Sequence, residues 1–314
     1  MEKRKLGIFS IPKLTFGSNI FGWTVDKKTS FSLLDKLLEN GLNFIDTADI
    51  YSTWAPGNKG GESENIIGSW LKLNGRRDKI IIATKVGMQF SENKKGLSRN
   101  YILQAIEDSL KRLQTDYIDL YQSHKDDEIT DIDETLGAYD SLIKAGKVRM
   151  IGASNFSAER LKESVLVSKN KNLAPYQCLQ PHYNLFDRQD FETKLEQFCL
   201  ENNFGVITYF SLASGFLTGK YRSEKDFTKS IRGGSMHKFL NKRGHNILKA
   251  LDVVSERHQA NPSQVSLAWL MARPSVTAPI ASATTLAQID ELVKATHLKL
   301  NTEDIIYLNE ASAY

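Results

Sequence analysis

Short apolar runs alternate with segments of helical periodicity along most of the chain. Eight times, an apolar run of strand length comes before a segment whose apolar residues recur every three or four positions. The first run, LTFGSNI (14–20), precedes KTSFSLLDKLLEN, and Gly41 after it is typical of a helix C-terminus. The other seven runs are LNFIDTA, KIIIATKV, YIDLYQSH, VRMIGAS, YQCLQPH, FGVITYF and VTAPIAS.

This alternation predicts a parallel sheet covered by helices. Eight units in 314 residues favour a closed (β/α)8 TIM barrel over an open doubly wound sheet. No GxGxxG motif follows the first strand, which argues against a Rossmann fold. Because no Pro- or Ser-rich linker divides the chain, we expect residues 1–314 to form one domain, with an extra C-terminal helix over 302–311.

Two segments fall outside the repeat. STWAPGNKGG (52–61) follows the second strand, and a long irregular segment over 213–240 follows the seventh. Long loops in a compact domain are usually functional or disordered. Since both follow strands, both are expected at the barrel end where active sites are built.

Composition and charge argue against a nucleic-acid-binding, disulfide-rich or membrane-spanning protein. The chain is 41% hydrophobic and 25% charged, and its net charge of +4 provides no broad basic surface for nucleic acid. Cys178 and Cys199 have no metal-ligand spacing and are interpreted as buried thiols in a reducing compartment. With no signal peptide and no apolar stretch of membrane-spanning length, we expect a cytoplasmic protein without membrane partners.

Four chemically capable residues stand at three successive predicted strand ends. Asp46 and Tyr51 follow the second strand, Lys85 ends the third and His124 ends the fourth. Each alone has a structural explanation, such as a turn cap, a half-buried aromatic or a structural histidine. A barrel brings strand C-termini to one mouth, so the four are expected to meet there.

These residue types suit the protonation of a carbonyl oxygen. A tyrosine with a pKa of about 10 is a slow acid at neutral pH, and a nearby ammonium lowers that pKa. Asp46 would keep Lys85 charged and oriented, while His124 would donate a hydrogen bond to the substrate oxygen. This chemistry requires no metal ion.

The order and spacing of these residues resemble the aldo-keto reductase family along nearly the whole chain. The segments that carry the resemblance are FIDTADIY (44–51), IIATKVG (81–87), DYIDLYQSH (116–124), IGASNF (151–156) and LASGFLTGKY (212–221). The resemblance implies a TIM barrel whose bottom is covered by an N-terminal β-hairpin, for which residues 1–12 are suited. It also implies NADP(H)-dependent reduction of a small aldehyde or ketone to an alcohol.

The resemblance further assigns cofactor contacts. Ser154, Asn155 and Gln180 would hold the nicotinamide carboxamide, and Tyr209 would stack on the ring. Polar side chains at the ends of apolar strands need hydrogen-bond partners when buried, although turn capping by Ser154 and Asn155 explains them equally well. Trp54, directly after Tyr51, would form an apolar wall of the substrate pocket, or else is an ordinary exposed loop residue.

The pyrophosphate would lie along the Gly-rich stretch after the seventh strand, where Leu212, Ala213 and Ser214 offer backbone N–H groups next to Gly215 and Gly219. Glycine allows close backbone approach, although a flexible loop also explains it. In one branch of the family a lysine at the position of Lys220 contacts the cofactor phosphates, so the resemblance implies this role for Lys220. Arg232 is a second candidate cation.

The adenosine would lie against the last strand and helix. Thr284 precedes a helix N-terminus, which favours phosphate, although an ordinary N-cap is the alternative. Gln288 and Glu291 would face the adenine. Ser282 and Gln288 stand where many members place cations on the 2′-phosphate, and Leu292 replaces a frequent asparagine, so NAD(H) stays open beside NADP(H). The complete set of predicted cofactor contacts is Ser18, Asn19, Ser154, Asn155, Gln180, Tyr209, Leu212, Ser214, Gly215, Lys220, Arg232, Ser282, Thr284, Gln288 and Glu291.

Two other functions are compatible with part of this pattern. A barrel aldolase would use Lys85 as a Schiff-base nucleophile. A nucleotide-sensing partner subunit, like the potassium-channel β subunits that resemble this family, would bind nucleotide and turn over slowly. The complete set of four catalytic residue types favours the reductase.

Overall fold

The strands form a short antiparallel hairpin and a closed parallel barrel. The computed structural model describes residues 2–90, 92 and 94–314. Strands β1 (Lys3–Leu6) and β2 (Phe9–Pro12) pair antiparallel. The barrel strands are β3 (Thr15–Gly17), β4 (Phe44–Asp46), β5 (Ile81–Val86), β6 (Ile118–Ser123), β7 (Val148–Ser154), β8 (Cys178–Gln180), β9 (Gly205–Thr208) and β10 (Ala278–Ala281). They pair in parallel in chain order, and β10 closes the ring against β3.

Helices surround the barrel, as the alternating pattern predicts. They are α1 (Lys27–Glu39), α2 (Glu62–Asn74), α3 (Arg99–Leu113), α4 (Ile132–Lys144), α5 (Ala158–Lys171), α6 (Gln189–Lys194), α7 (Glu196–Glu201), α8 (Lys242–Arg257), α9 (Pro262–Ala272), α10 (Leu286–His297) and α11 (Thr302–Ala311). Short 3-10 helices occupy Arg77–Lys79, Ala213–Thr218, Glu224–Lys229, Gly233–Ser235 and His237–Phe239. In the described part of the chain, no helix combines the length and apolar character needed to cross a bilayer.

The predicted TIM barrel, N-terminal hairpin and C-terminal helix are confirmed, and two details differ. The helical segment that follows β8 is divided into α6 and α7, because Leu195 between them has a φ of −121°, which lies outside the helical range. The long insertion after β9 ends in a full helix, α8, which begins where the Asn241 side chain accepts a hydrogen bond from the Gly244 amide. Both cysteines are free and buried, as expected.

The hairpin closes the N-terminal end of the barrel. Leu6, Phe9 and Ile11 belong to the same apolar cluster as the inward-facing barrel residues. Leu6 lies so close to the first residue of β9 that a Cβ added to Gly205 would come within 2.1 Å of its Cδ1 atom. With this end filled by apolar side chains, the opposite end, where the strands finish, is the one that carries polar groups.

Helices α2 and α3 also approach each other closely. A Cβ on Gly68 of α2 would come within 2.1 Å of the Arg112 carbonyl oxygen and 2.7 Å of the Leu113 carbonyl carbon, both backbone atoms of α3. Only a residue without a side chain permits this contact. The contact fixes the pair of helices that lies behind β4 and β5.

We expect Gly68→Ala to lower the free energy of unfolding by about 1–3 kcal/mol, because the added methyl group meets backbone that cannot move aside. The matched control is Gly137→Ala in α4, where an added Cβ has no neighbour within 4 Å. That substitution should stabilise the protein by about 0.5–1 kcal/mol through helix propensity. Urea unfolding of the two variants measures both changes, and equal midpoints would contradict the assigned contact.

Candidate active site

Three neighbouring strands place the four candidate catalytic residues at one mouth of the barrel. Asp46 is the last residue of β4, and Lys85 is the penultimate residue of β5. His124 follows β6, and its amide donates to the Val86 carbonyl at 2.8 Å, which extends the β5–β6 pairing by one residue. Tyr51 lies in the turn after β4 and reaches back over its end.

The Lys85 ammonium is the centre of this cluster. Lys85 has no solvent-exposed surface, and it donates to Asp46 Oδ2 at 2.7 Å, to the Thr47 carbonyl at 2.7 Å and to the Tyr51 hydroxyl at 2.8 Å. All three protons of an ammonium group therefore have partners. Burial lowers the pKa of Lys85, and the Asp46 carboxylate opposes that shift. The ion pair is what allows a charged lysine to occupy this position.

Two glutamines complete the surroundings of Asp46. Gln180 donates to Asp46 Oδ1 at 2.9 Å, and Gln122 donates to the same oxygen at 3.4 Å. Sequence analysis assigned Gln180 only to the cofactor and missed Gln122. The period of two along β6 was the available signal, because Gln122 shares its face with Leu120, which lies in the barrel interior.

Tyr51 is held as a neutral phenol. Its hydroxyl accepts the hydrogen bond from Lys85 and donates to Asp46 Oδ2 at 3.2 Å. Burial, followed by the Asp46 charge, raises the pKa of Tyr51 well above its usual value. From Lys85 alone we expected a lowered pKa, and that expectation was wrong because it left out the burial of the site and the second charge.

His124 is uncharged and has spare hydrogen-bonding capacity. Burial, reinforced by the Lys85 charge, holds the pKa of His124 well below its usual value. Its buried Nδ1 atom has no hydrogen-bond partner among the described residues. The imidazole and Tyr51 ring centroids are 6.0 Å apart at 71°. A small polar group at this mouth would therefore contact both side chains.

The residues predicted to hold the nicotinamide form a connected group next to His124. The Asn155 side chain donates to the His124 carbonyl at 2.8 Å and accepts from the Tyr209 hydroxyl at 2.7 Å. Ser154 donates to the Gln180 carbonyl at 2.8 Å. His182 stacks on one face of Tyr209, with centroids 5.2 Å apart at 16°. A flat ligand ring would have to use the other face of Tyr209.

The segment after β9 has an unusual backbone. Ala213, Ser214 and Gly215 all have positive φ, at 47°, 57° and 100°. Such conformations cost energy for non-glycine residues and concentrate at ligand-binding sites. The Lys220 side chain lies over this turn, with Cε and Nζ 3.4 and 3.6 Å from the position of a Cβ on Gly215. Leu212, at the start of the turn, is half-buried.

Arg232 packs on an aromatic ring rather than extending freely into solution. Its guanidinium packs on the Trp23 ring, 5.2 Å from the centroid. Within the described ranges, neither Arg232 nor Lys220 forms an ion pair with a carboxylate. Both cations consequently remain available to an anionic ligand.

At the predicted adenosine end the side chains bond largely to one another. Ser282 donates to the Gly17 carbonyl at 2.7 Å and to Asn19 Oδ1 at 3.1 Å. Gln288 accepts from the exposed Thr284 amide at 2.7 Å. Glu291 accepts from Asn261 and Gln264 and pairs with Lys294. The carboxylate of Glu291 is thus already engaged.

Ser18 and Leu292 are more enclosed than their neighbours. The Ser18 hydroxyl donates to the Asp46 carbonyl at 2.8 Å and lies 2.8 Å from the Ser63 hydroxyl, which also accepts from Thr47. Leu292 packs in the outer apolar core. The Ser18 contacts join the end of β4, the start of α2 and the residue after β3 next to Asp46.

Two tryptophans form one side of the mouth. Trp54 is half-exposed, and its ring lies 6.1 Å from the Tyr51 ring. Trp23 meets Trp54 edge-on at 5.7 Å. The sequence pointed to Trp54 but not to Trp23, which reaches the mouth from the β3–α1 loop. A substrate at Tyr51 would thus meet an aromatic wall.

Replacing Asp46 by Asn should show how strongly the buried ion pair supports the fold. Asp46→Asn leaves Lys85 buried without an anion, so we expect unfolding to become easier by about 3–5 kcal/mol. The control is Asp290→Asn, which removes a half-exposed partner of Lys36 and should cost about 1 kcal/mol or less. Denaturant unfolding of both variants tests this, and equal losses would argue against a special role for the buried pair.

Comparison with known proteins agrees with the geometry. The family model described as "Aldo/keto reductase family" matches residues 13–313. The "Uncharacterized oxidoreductase YrpG" of Bacillus subtilis is 34% identical over 307 residues, covering 96% of this chain and 92% of that protein. The "Aldo-keto reductase YhdN" of the same organism is 34% identical over 92% of this chain and 84% of its own length.

A relative with a different description is also similar. The "Probable voltage-gated potassium channel subunit beta" of Arabidopsis thaliana is 32% identical over 94% of this chain and 91% of that protein. The relatives thus include proteins described as oxidoreductases and one described as a channel subunit. Together, the family match over nearly the whole chain and the closed barrel with its strand-end cluster show that this chain belongs to the aldo/keto reductase family of oxidoreductases.

Proposed function

We propose that this protein is an NADP(H)-dependent oxidoreductase that reduces an aldehyde or ketone to an alcohol, with Tyr51 as the proton donor. The observation that supports this most directly is the hydrogen bond of 2.8 Å from the buried Lys85 ammonium to the Tyr51 hydroxyl. A phenol in this position can lose its proton to a substrate oxygen, because the charge left behind meets a cation at once.

The proton transfer follows from the resting arrangement. Tyr51 begins as a neutral phenol whose proton is directed at Asp46. Rotation of the hydroxyl toward the mouth would direct the proton at a carbonyl oxygen held there. As the proton leaves, Lys85 stabilises the phenolate, while Asp46 keeps the ammonium in place. The uncharged His124 can donate one N–H to the same substrate oxygen and orient it.

A nicotinamide, when bound, supplies the hydride for this reduction. The residues that would hold its carboxamide are Ser154, Asn155 and Gln180, with the free face of Tyr209 against the ring. The fit is supported by the His182 stack, which leaves Tyr209 one open face, and by the polar side chains that surround it. Asn155 would have to exchange its bond to Tyr209 for one to the carboxamide.

Unpaired cations support a phosphate-rich cofactor. Lys220 lies over the left-handed turn at Gly215, and Arg232 faces the mouth from the same loop. A cation near backbone amide groups suits a pyrophosphate. At the far end, Thr284 precedes the N-terminus of α10, where the helix dipole favours an additional phosphate. These features favour NADP(H), with NAD(H) as the alternative.

The two alternative functions receive less support. An aldolase needs a lysine with a free lone pair, whereas Lys85 donates all three hydrogens and pairs with Asp46. Borohydride should therefore trap no substrate on Lys85. Because one relative is described as a channel subunit, a nucleotide-sensing partner subunit is the alternative function. The hydrogen-bonded group of Asp46, Lys85 and Tyr51 beside His124 favours a catalytically active enzyme instead.

We expect Tyr51→Phe to retain NADPH binding and to lose reductase activity by about 10²–10⁴-fold, the usual contribution of a positioned acid. Fluorescence titration measures the binding, and a panel of aldehydes and ketones measures the turnover. Tyr314→Phe, at the exposed C-terminus, is the matched control and should keep full activity. Near-normal turnover by Tyr51→Phe would overturn the proposed proton donor.

Wild-type protein should bind NADPH more tightly than NADH, and Lys220→Met should weaken NADPH binding by about tenfold, the effect of losing one charge-assisted contact. Lys225→Met is the control, because Lys225 is an exposed lysine of the same loop. Fluorescence titration with both nucleotides gives the dissociation constants. Equal losses for the two lysine variants would mean that Lys220 contributes only to the general charge of the loop.

A further inference from the structure

A second carboxyl group lies next to the catalytic cluster and takes no part in it. Asp49 stands in the turn between Asp46 and Tyr51, and only 3% of its surface is exposed. Its amide points to the Lys85 carbonyl at an N···O distance of 3.4 Å, which ties the turn to β5. Its Oδ1 atom has no hydrogen-bond partner in the part of the chain that the structure describes. A buried acid in this condition needs an explanation.

Arg112, which lines the same small cavity as Asp49, is already paired with another carboxylate. Glu64 of α2 is fully buried, and its Oε2 atom accepts from Arg112 of α3 at 2.6 Å. Its other oxygen, Oε1, accepts from the Thr84 hydroxyl at 2.5 Å. One guanidinium thus serves Glu64, and a charge on Asp49 would be a second anion beside the same arginine. Burying such an unpaired charge is far more costly than burying a neutral acid.

The other cations around Asp49 also have partners. Tyr101, Lys94 and Asp108 line the same small cavity, and Lys94 is paired with Asp108 at 3.7 Å. Tyr121, from β6, is buried, and its hydroxyl also lacks a partner among the described residues. On the barrel side, the Lys85 ammonium directs its three protons elsewhere. The surroundings therefore favour a protonated Asp49.

We propose that Asp49 is a positioning residue that the fold holds as an uncharged carboxylic acid, which leaves Asp46 as the anion that pairs with Lys85 and Tyr51. The effect of Asp49 on the reaction rests on the role proposed for Tyr51, whereas the protonation state of Asp49 does not. An ionised Asp49 would place another negative charge near Tyr51 and oppose the phenolate that forms when the phenol gives up its proton.

The pKa of Asp49 agrees with this arrangement. Burial, followed by the Glu64 charge, raises it to about 8, against the opposing effect of Arg112. At neutral pH the group is then mainly protonated, and it ionises in mildly alkaline solution. Because the pKa in the folded state lies above that of the unfolded chain, the wild-type protein should lose stability as the pH rises from about 4 to about 8.

Infrared spectroscopy of the intact protein tests the protonation directly. The difference spectrum between wild type and Asp49→Asn at about pH 6.5 should contain the carbonyl band of a protonated carboxyl group. In wild type that band should disappear by about pH 9.5, beyond the Asp49 pKa of about 8. Its absence at the lower pH would overturn the proposal, and this measurement requires no substrate.

Kinetics tests the effect on Tyr51. The probes are NADPH and 4-nitrobenzaldehyde, and kcat/KM is measured for Asp49→Asn and for wild type. The ratio of the variant to wild type should rise about three- to tenfold between about pH 7 and pH 9.5. This is the effect of shifting the Tyr51 pKa by about half to one unit when Asp49 ionises in wild type. Asp108→Asn, a half-exposed carboxylate on the rim of the same cavity, should give a constant ratio. A constant ratio for Asp49→Asn as well would refute the coupling to Tyr51.

Thermal stability separates the outcomes. Asp49→Asn should melt at a higher temperature than wild type at about pH 8, and the difference should shrink as the pH falls to about 4 and below, where the wild-type acid becomes protonated in the unfolded state as well. A lower melting temperature for the variant at about pH 8 would overturn the proposal. If the protein reduced no carbonyl compound, the proposed function would fail, and the infrared and melting measurements would still decide the state of Asp49.

Discussion

A charged lysine without solvent contact is the constraint on which the site depends. The Lys85 ammonium can remain in the barrel only because Asp46, the Thr47 carbonyl and the Tyr51 hydroxyl accept hydrogen bonds from its three N–H groups. Removing a charge from water costs several kcal/mol, so each partner must be present and correctly placed. The same geometry that stabilises the buried lysine places its charge against the Tyr51 hydroxyl, which we propose as the proton donor.

The barrel provides this geometry through rigid neighbours. Asp46 and Lys85 end adjacent parallel strands, and Gln122 and Gln180 from two further strands hold the second carboxylate oxygen. Behind them, the Ser18, Thr47 and Ser63 hydroxyl groups and the Glu64–Arg112 pair fix α2 and α3 against the sheet. The site is therefore supported by two layers of polar contacts, and Asp49 lies between the layers.

Several residues proposed to contact the cofactor phosphates and the substrate lie in loops. The turn through Ala213–Gly215, the cations Lys220 and Arg232, and the tryptophans Trp23 and Trp54 all lie on segments that connect strands to helices. In the proposed function, residues at the strand ends carry out the reaction, and residues in the loops select the substrate. This division is the usual one in barrel enzymes, and it allows the reaction class to stay constant while the substrate changes.

The sequence by itself determined the barrel, the last helix and the meeting of Asp46, Tyr51, Lys85 and His124, because strand periodicity and strand order dictate which residues reach the same mouth. The N-terminal hairpin was expected from the family resemblance. Only the tertiary structure decided the direction of the Tyr51 pKa, the contact of Gln122 with Asp46 and the isolation of Asp49 beside a guanidinium already paired with Glu64. Those properties depend on burial and on charges brought together from distant strands and helices. Local sequence determines the order of the strands and helices. The pKa values depend on the balance between desolvation and charge pairing, which is set only when the barrel has folded.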